Sequence, residues 1–195
     1  MIDISERVRI IATEILSQRK YLLRFVTFAW RRSDGTWQEQ KREVYDKGDG
    51  AVVLLFNPGK RSVVLIRQFR LPAFLSGYRG LLIEAAAGLL DGAAPDVRIR
   101  EEVEEETGYR VHDVRKVFEA FMSPGAFTEK LHFFVAEYDP EVRPGPGGGL
   151  AHEGEDIEVL ELGLAEALKM VEDGGIVDAK TILLLQYAQL HIFHD

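Results

Sequence analysis

The sequence predicts an α+β fold: helices cover a mixed β-sheet in an α/β/α arrangement, preceded by an antiparallel β-hairpin. Three observations point there. β-branched and aromatic runs divided by turn residues fill most of 20–90. One acidic helical segment, 95–107, interrupts them. Helical periodicity then returns only after a Pro/Gly-rich stretch near 143–156. Strands, one helix, more strands and then helices do not make the regular alternation of a βαβ winding.

At the N-terminus, Ile4, Val8, Ile11 and Ile15 have the spacing of a short amphipathic helix or an irregular start. Residues 20–32 and 36–45 read as strands, and Ser33-Asp34-Gly35 between them makes a hairpin. Trp30 and Trp37 fall across that hairpin and are expected to pack in it. A second hairpin joins 51–56 to 62–69 through Asn57-Pro58-Gly59-Lys60. The apolar run 81–87 closes at Gly88, and Asp91-Gly92 breaks the chain. Pro95 suits a first helical turn, and the helix should run to Thr107 and stop at Gly108. Residues 111–122, 131–138 and 157–162 read as strands, and 143–156 as a mobile loop. Helices are expected over 165–172 and 178–191, the second with Ala179, Ile182, Leu183, Tyr187 and Leu190 on one face. The predicted division is 1–46 as the hairpin subdomain, a dimerisation element, and 47–195 as the main domain.

Composition excludes several function classes. The chain of 195 residues carries a formal net charge of -8, which argues against non-specific nucleic-acid binding. It has no cysteine, so a disulfide framework, thiolate metal ligands and a cysteine nucleophile are excluded, and a reducing cytoplasm is the expected compartment. The N-terminus lacks the pattern of a signal peptide, and no apolar run reaches the ~18 residues of a membrane span. The histidines at 112, 132, 152, 191 and 194 show no metal-ligand spacing; only His152, in the loop, invites a test.

The most informative stretch is Arg100-Glu101-Glu102-Val103-Glu104-Glu105-Glu106-Thr107-Gly108-Tyr109. Glu102 and Glu106 share a helix face and Glu105 borders it. Glu101 and Glu105 form another like-charged pair, and each such pair costs roughly 0.2–0.5 kcal/mol in an isolated helix. The charges also sit toward the C-terminal end, where the helix dipole disfavours anions. Hard oxygen donors at this spacing suit Mg²⁺ or Mn²⁺. The plain alternative, a solvated acidic face, fits Glu101 and Glu104 best.

Gly88 followed by Glu102 to Tyr109 resembles the Nudix box, a loop–helix–loop. This box is one residue shorter than the general pattern. Glu101 stands where the box arginine would be, Arg100 comes one place earlier, and the mid-box glutamate falls near Ala94. The segments 41–55, 63–72, 82–92, 105–109, 121–138, 147–162 and 178–187 resemble the GDP-mannose hydrolase branch of that superfamily, which shares the shortened box.

The resemblance implies a Nudix-type α/β/α sandwich and a Mg²⁺-dependent (or Mn²⁺-dependent) pyrophosphohydrolase. It implies metal ligands at the Ala87 carbonyl, Glu102, Glu105, Glu106 and Glu155. Glu155, with Glu106 and Glu153, is the implied catalytic carboxylate set. Substrate contacts are implied for Tyr21, Lys41, Arg42, Glu43, Arg70, Gly88, Leu89, Glu129, Gly154 and Lys180. Relatives form homodimers whose N-terminal strands complete the partner's site. The substrate implied is GDP-mannose, with ADP-ribose as the neighbouring alternative; a non-catalytic nucleotide-sugar sensor is the alternative of another class. On this reading the counter-charge for the glutamate run comes from outside the chain, as metal and diphosphate.

Overall fold

The computed structural model describes residues 2–193; His194 lies outside them. The chain forms two compact units, residues 1–49 with 121–130, and 50–120 with 131–195.

The first unit is an antiparallel sheet of β1 (Val8–Gln18), β2 (Leu22–Arg31) and β3 (Trp37–Asp46), with β2 in the middle. The N-terminal segment is therefore a strand, not a helix. Its register against β2 shifts between Ile10 and Ala12 and again between Ile15 and Ser17. Each bulge inserts one residue and resets the in–out alternation, so the apolar spacing imitates a helical one. Most of β1 is exposed, including Ile10 and Ile15 at 63% and 58%. The hairpin turn falls where expected, but the tryptophans do not pack together. Trp30 pairs with Gln38 and Trp37 with Arg31, one position out of step and so on opposite faces. Each carries its own guanidinium instead, Arg7 over Trp30 at 4.3 Å and Arg9 over Trp37 at 4.1 Å. The segment 121–130 joins this unit through the bridge of Phe127 to Tyr45.

The second unit is built on β4 (Gly50–Asn57), β5 (Ser62–Gln68), β6 (Leu82–Glu84), β7 (Ala86–Leu89), β8 (Arg115–Phe121), β9 (Lys130–Glu137) and β10 (Glu158–Gly163). The order is β10-β5-β4-β9-β8, with β6 beside β5 and β7 beside β4. β4 runs parallel to β9 and antiparallel to β5 and β7, so the sheet is mixed. β4 is buried on both faces, which is why it reads as a continuous apolar run. Ala51, Val53 and Leu55 pack with Ile99 of the acidic helix, α2 (Pro95–Glu102), and with Val103 just beyond its end. On the chain also lie a short α1 (Leu71–Leu75), α3 (Leu164–Glu172) and α4 (Ala179–His191), α4 burying Leu184, Leu185 and Ala188. α2 packs on β4 and β7 while α4 meets β4 and β6, which gives the layered sandwich. No helix among the described residues is long and apolar enough to cross a membrane.

Candidate active site

Two short backbone segments and one helix end create the site. β6 leaves β5 at Glu84, and the chain crosses to pair with β4 as β7, so Ala86, Ala87 and Gly88 run beside the C-terminal half of the acidic helix. Beyond Glu102 that helix widens into one π-helical turn, Val103–Thr107, and closes at Gly108 with φ 76°. Such widened turns recur at functional sites because they redirect side chains within an otherwise regular helix.

The turn brings the glutamates inward. Glu106 is 2% exposed and Glu102 is 7% exposed. The Ala87 N–H donates to Glu106 Oε2 at 3.0 Å. Burial pushes the Glu106 carboxyl well above its ordinary range, with Glu102 and Glu155 adding like charge. Burial likewise pushes Glu102 up to about 7, against the attraction of Arg98, with Glu105 and Glu155 again adding like charge. Glu155 thus lies within electrostatic reach of both buried glutamates.

Glu155 is held by its own loop: the Leu150 N–H donates to its Oε2 at 2.9 Å. The 143–156 segment, expected to be mobile, is anchored to the helix at two of its glycines. The N–H groups of Gly148 and Gly149 donate to the carbonyls of Glu106 and Glu105 at 2.9 and 3.0 Å, capping the end of the acidic helix. Those carbonyls have no partner within the helix, so the glycine run satisfies backbone that would otherwise be left unpaired. Glu153 and His152 remain exposed, 3.8 Å apart. Gly154 ends a short 3₁₀ turn with φ 80°.

Sequence reasoning passed over two residues here. Arg98 is one: its Nη2 lies 2.5 Å from Glu102 Oε1 and 3.6 Å from Glu105 Oε2, and its Nη1 lies 3.1 Å from Glu101 Oε2. The counter-charge of the glutamate run is thus partly in the chain, at helical spacings of three, four and seven that would have revealed it. Glu104 has its own partner, Arg110, at 2.7 Å. The other is Glu84, 3% exposed, which binds Arg70 Nε at 2.7 Å and Lys180 Nζ at 2.5 Å. A lone carboxylate inside the apolar run 81–87 was the available signal. Asp178 caps α4 through Thr181 and also holds Lys180 at 2.9 Å.

The remaining expected contacts fall elsewhere. Leu89 ends β7 opposite Gly50. In the first unit, Tyr21 stacks edge-on to Tyr45 at 5.8 Å. Lys41, Arg42 and Glu43 are exposed on β3, opposite Thr27, Val26 and Phe25. Glu129 is buried in an ion pair with Lys47 at 2.6 Å.

Among the described residues, no three His, Cys, Asp or Glu side chains are arranged to hold a metal ion. Glu102 and Glu105 are turned to Arg98, and Glu106 to the Ala87 N–H. The donor set itself fits a hard cation: buried carboxylates, mutually repelling, with one arginine for several negative charges.

The family described as NUDIX domain matches residues 46–183, and the GDP-mannose pyrophosphatase NudK N-terminal domain matches residues 7–45. The chain belongs to the Nudix hydrolase family. Members of this family generally use divalent metal ions. Within the family the chain is 53% identical to a GDP-mannose pyrophosphatase of Cronobacter sakazakii over 192 residues, covering 98% of this chain and 100% of the relative. It is 50% identical to the protein of that name from Shigella flexneri, with the same coverage. With the one from Pectobacterium atrosepticum it shares 51% over 185 residues, 94% and 95% of the two chains. The shortened Nudix box, Gly88 to Tyr109, is the loop, helix and π-turn described above.

Proposed function

We propose that this Nudix hydrolase cleaves GDP-mannose to GMP and mannose 1-phosphate with Mg²⁺ as the metal and Mn²⁺ as a substitute. The observation that carries the reading is full-length identity of about half to proteins named GDP-mannose pyrophosphatase, together with an intact set of box carboxylates. In this reading the Ala87 carbonyl, Glu102, Glu105, Glu106 and Glu155 hold the metal. When bound, the metal neutralises the diphosphate and acidifies a water.

The chain's own groups do the rest. Gly88 and Leu89 offer backbone close to the helix face. Arg70 and Lys180 supply positive charge for the phosphates, and Glu84 keeps them from pointing elsewhere. Glu155 takes the proton from the attacking water, with Glu153 as the second candidate on the same loop. Glu106 binds metal. Tyr21, Lys41, Arg42, Glu43, Glu129 and Gly154 contact the nucleotide and sugar. The protein acts as a homodimer in which the N-terminal strands, residues 1–46, complete the partner's site. The long exposed apolar row on β1 supports this. A reducing cytoplasm suits the absence of cysteine.

The test is product identification. The protein, Mg²⁺ and equal amounts of GDP-mannose, ADP-ribose, GDP-glucose and NADH are incubated and the nucleotides separated. GMP arising chiefly from GDP-mannose is expected. AMP arising chiefly from ADP-ribose would move the protein to the neighbouring activity. Tight binding without cleavage would make it a sensor.

A further inference from the structure

Within the site just proposed, one charged side chain has no assigned part. Arg98 leaves the first turn of the acidic helix and lies along its glutamate face. The atoms it meets are Oε1 of Glu102, Oε2 of Glu105 and Oε2 of Glu101. The first two belong to carboxylates that the functional reading gives to the metal, so guanidinium and metal want the same oxygens.

The contact is also incomplete. Arg98 Nε is buried with no hydrogen-bond partner. A buried donor left unpaired costs free energy that a better-solvated position would recover. About a fifth of the side chain, 21%, remains exposed, so a route to solvent exists. The charge balance points the same way. One guanidinium faces Glu101, Glu102 and Glu105, with Glu106 and Glu155 close behind, so carboxyl groups outnumber cations on this face.

We propose that Arg98 is a resident counter-ion of the Nudix box, holding Glu102 and Glu105 in the metal-free protein and swinging away when a divalent cation takes their oxygens, so that it sets the metal affinity. The inference rests on the carboxylates being metal ligands, as proposed above. It explains how a helix with this many like charges folds before metal arrives.

The test uses the full chain stripped with chelator, without substrate. Mg²⁺ and Mn²⁺ are titrated against wild type, Arg98→Met, Arg98→Gln and Arg98→Lys, by calorimetry and thermal midpoint. Arg98→Met and Arg98→Gln should lower the metal-free midpoint and tighten Mg²⁺ binding about twofold to fivefold, the range of a partly exposed ion pair removed as competitor. Arg98→Lys should stay near wild type. Arg110→Met, which frees only Glu104, should leave metal affinity unchanged. Unchanged or weaker binding in Arg98→Met and Arg98→Gln would overturn the proposal and make Arg98 a support of the metal-bound form. Absence of saturable metal binding in wild type and variants alike would overturn the metal assignment itself, and this inference with it.

Discussion

Gly88 lies so close to Glu102 that a methyl group on its α-carbon would stand 1.7 Å from Oε1 and 2.6 Å from Cγ. The glycine of the box is therefore a space requirement, not a turn requirement. Only a bare α-carbon lets this glutamate lie flat between β7 and Arg98. Gly88→Ala forces Glu102 out of its rotamer and away from Arg98. The expected cost is about 1–3 kcal/mol of stability, as for other overpacked sites, with a larger loss of metal affinity. Denaturant unfolding and a Mg²⁺ titration measure the two, and unaltered metal affinity would show that Glu102 is not a ligand.

Glu106→Gln separates charge from shape. The amide oxygen can still accept from the Ala87 N–H, which bonds Glu106 Oε2 at 3.0 Å. Because burial disfavours the ionised carboxylate, the neutral variant should be as stable as wild type or more so at pH 8. Its activity should fall roughly a hundredfold or more, since several kcal/mol of metal-borne charge stabilisation depends on the anion. Full activity in a folded Glu106→Gln protein would sink the metal assignment.

The metal-free protein should lose stability as pH rises. Glu102 titrates at about 7 when folded and near 4.5 when unfolded, and Glu106 is displaced in the same direction. A carboxyl whose folded value is raised favours folding in its protonated form. That contribution is complete below about pH 4.5 and is lost as pH rises through the folded value. For Glu102 alone the loss is about 3 kcal/mol. Unfolding free energies of wild type and Glu102→Gln, compared between pH 5 and 8 in chelator, should diverge in favour of the variant. Saturating Mg²⁺ should flatten the wild-type decline, because ionised ligands bind the metal better.

How much of this was legible in the sequence depended on range. Turn chemistry and β-branched runs located β2 to β5, because those signals are local. The box carboxylates were legible for the same reason, being three and four residues apart on one helix. β1 was not, since its bulges blur the period that distinguishes strand from helix. The docking of Gly147–Gly149 on the helix end was hidden as well. It depends on backbone meeting backbone across some forty residues, and glycine-rich composition reads locally as freedom. Glu84 was visible as a charge in an apolar run, but its partners at 70 and 180 come together only in the fold.

Lys180 should be a structural keystone of α4 as well as a phosphate contact. It is nearly enclosed between Glu84 and Asp178, at 2.5 and 2.9 Å. Lys180→Met leaves Glu84 with Arg70 alone, and breaking a buried pair on one side costs about 3–5 kcal/mol. Glu84→Met with Lys180→Met removes both charges and should recover part of that loss. A double-mutant cycle by chemical denaturation should show a coupling of about 1 kcal/mol or more between the two positions. Additive losses would mean that each residue is held by its other partner.

Gly147 should be the least replaceable glycine of the 143–156 segment. Its φ is +70°, and a β-carbon there would meet Glu106 O at 2.6 Å and Thr107 C at 2.5 Å. Both are backbone atoms of the π-turn and cannot give way. Gly145 has open space in the same direction, with nothing within 4 Å. Gly147→Ala should therefore lift the loop from the helix end and carry Glu155 away from Glu102 and Glu106, whereas Gly145→Ala should leave it docked. Amide hydrogen exchange at Gly148 and Gly149, whose N–H groups bond the helix end, reads the difference: it should quicken in Gly147→Ala and stay at the wild-type rate in Gly145→Ala. If Glu155 is the base, hydrolysis should fall with the docking by about a hundredfold or more, the lower end of what losing one general base costs. Rapid exchange at Gly148 and Gly149 with undiminished hydrolysis would show that the docked loop is dispensable and would remove Glu155 from the catalytic set.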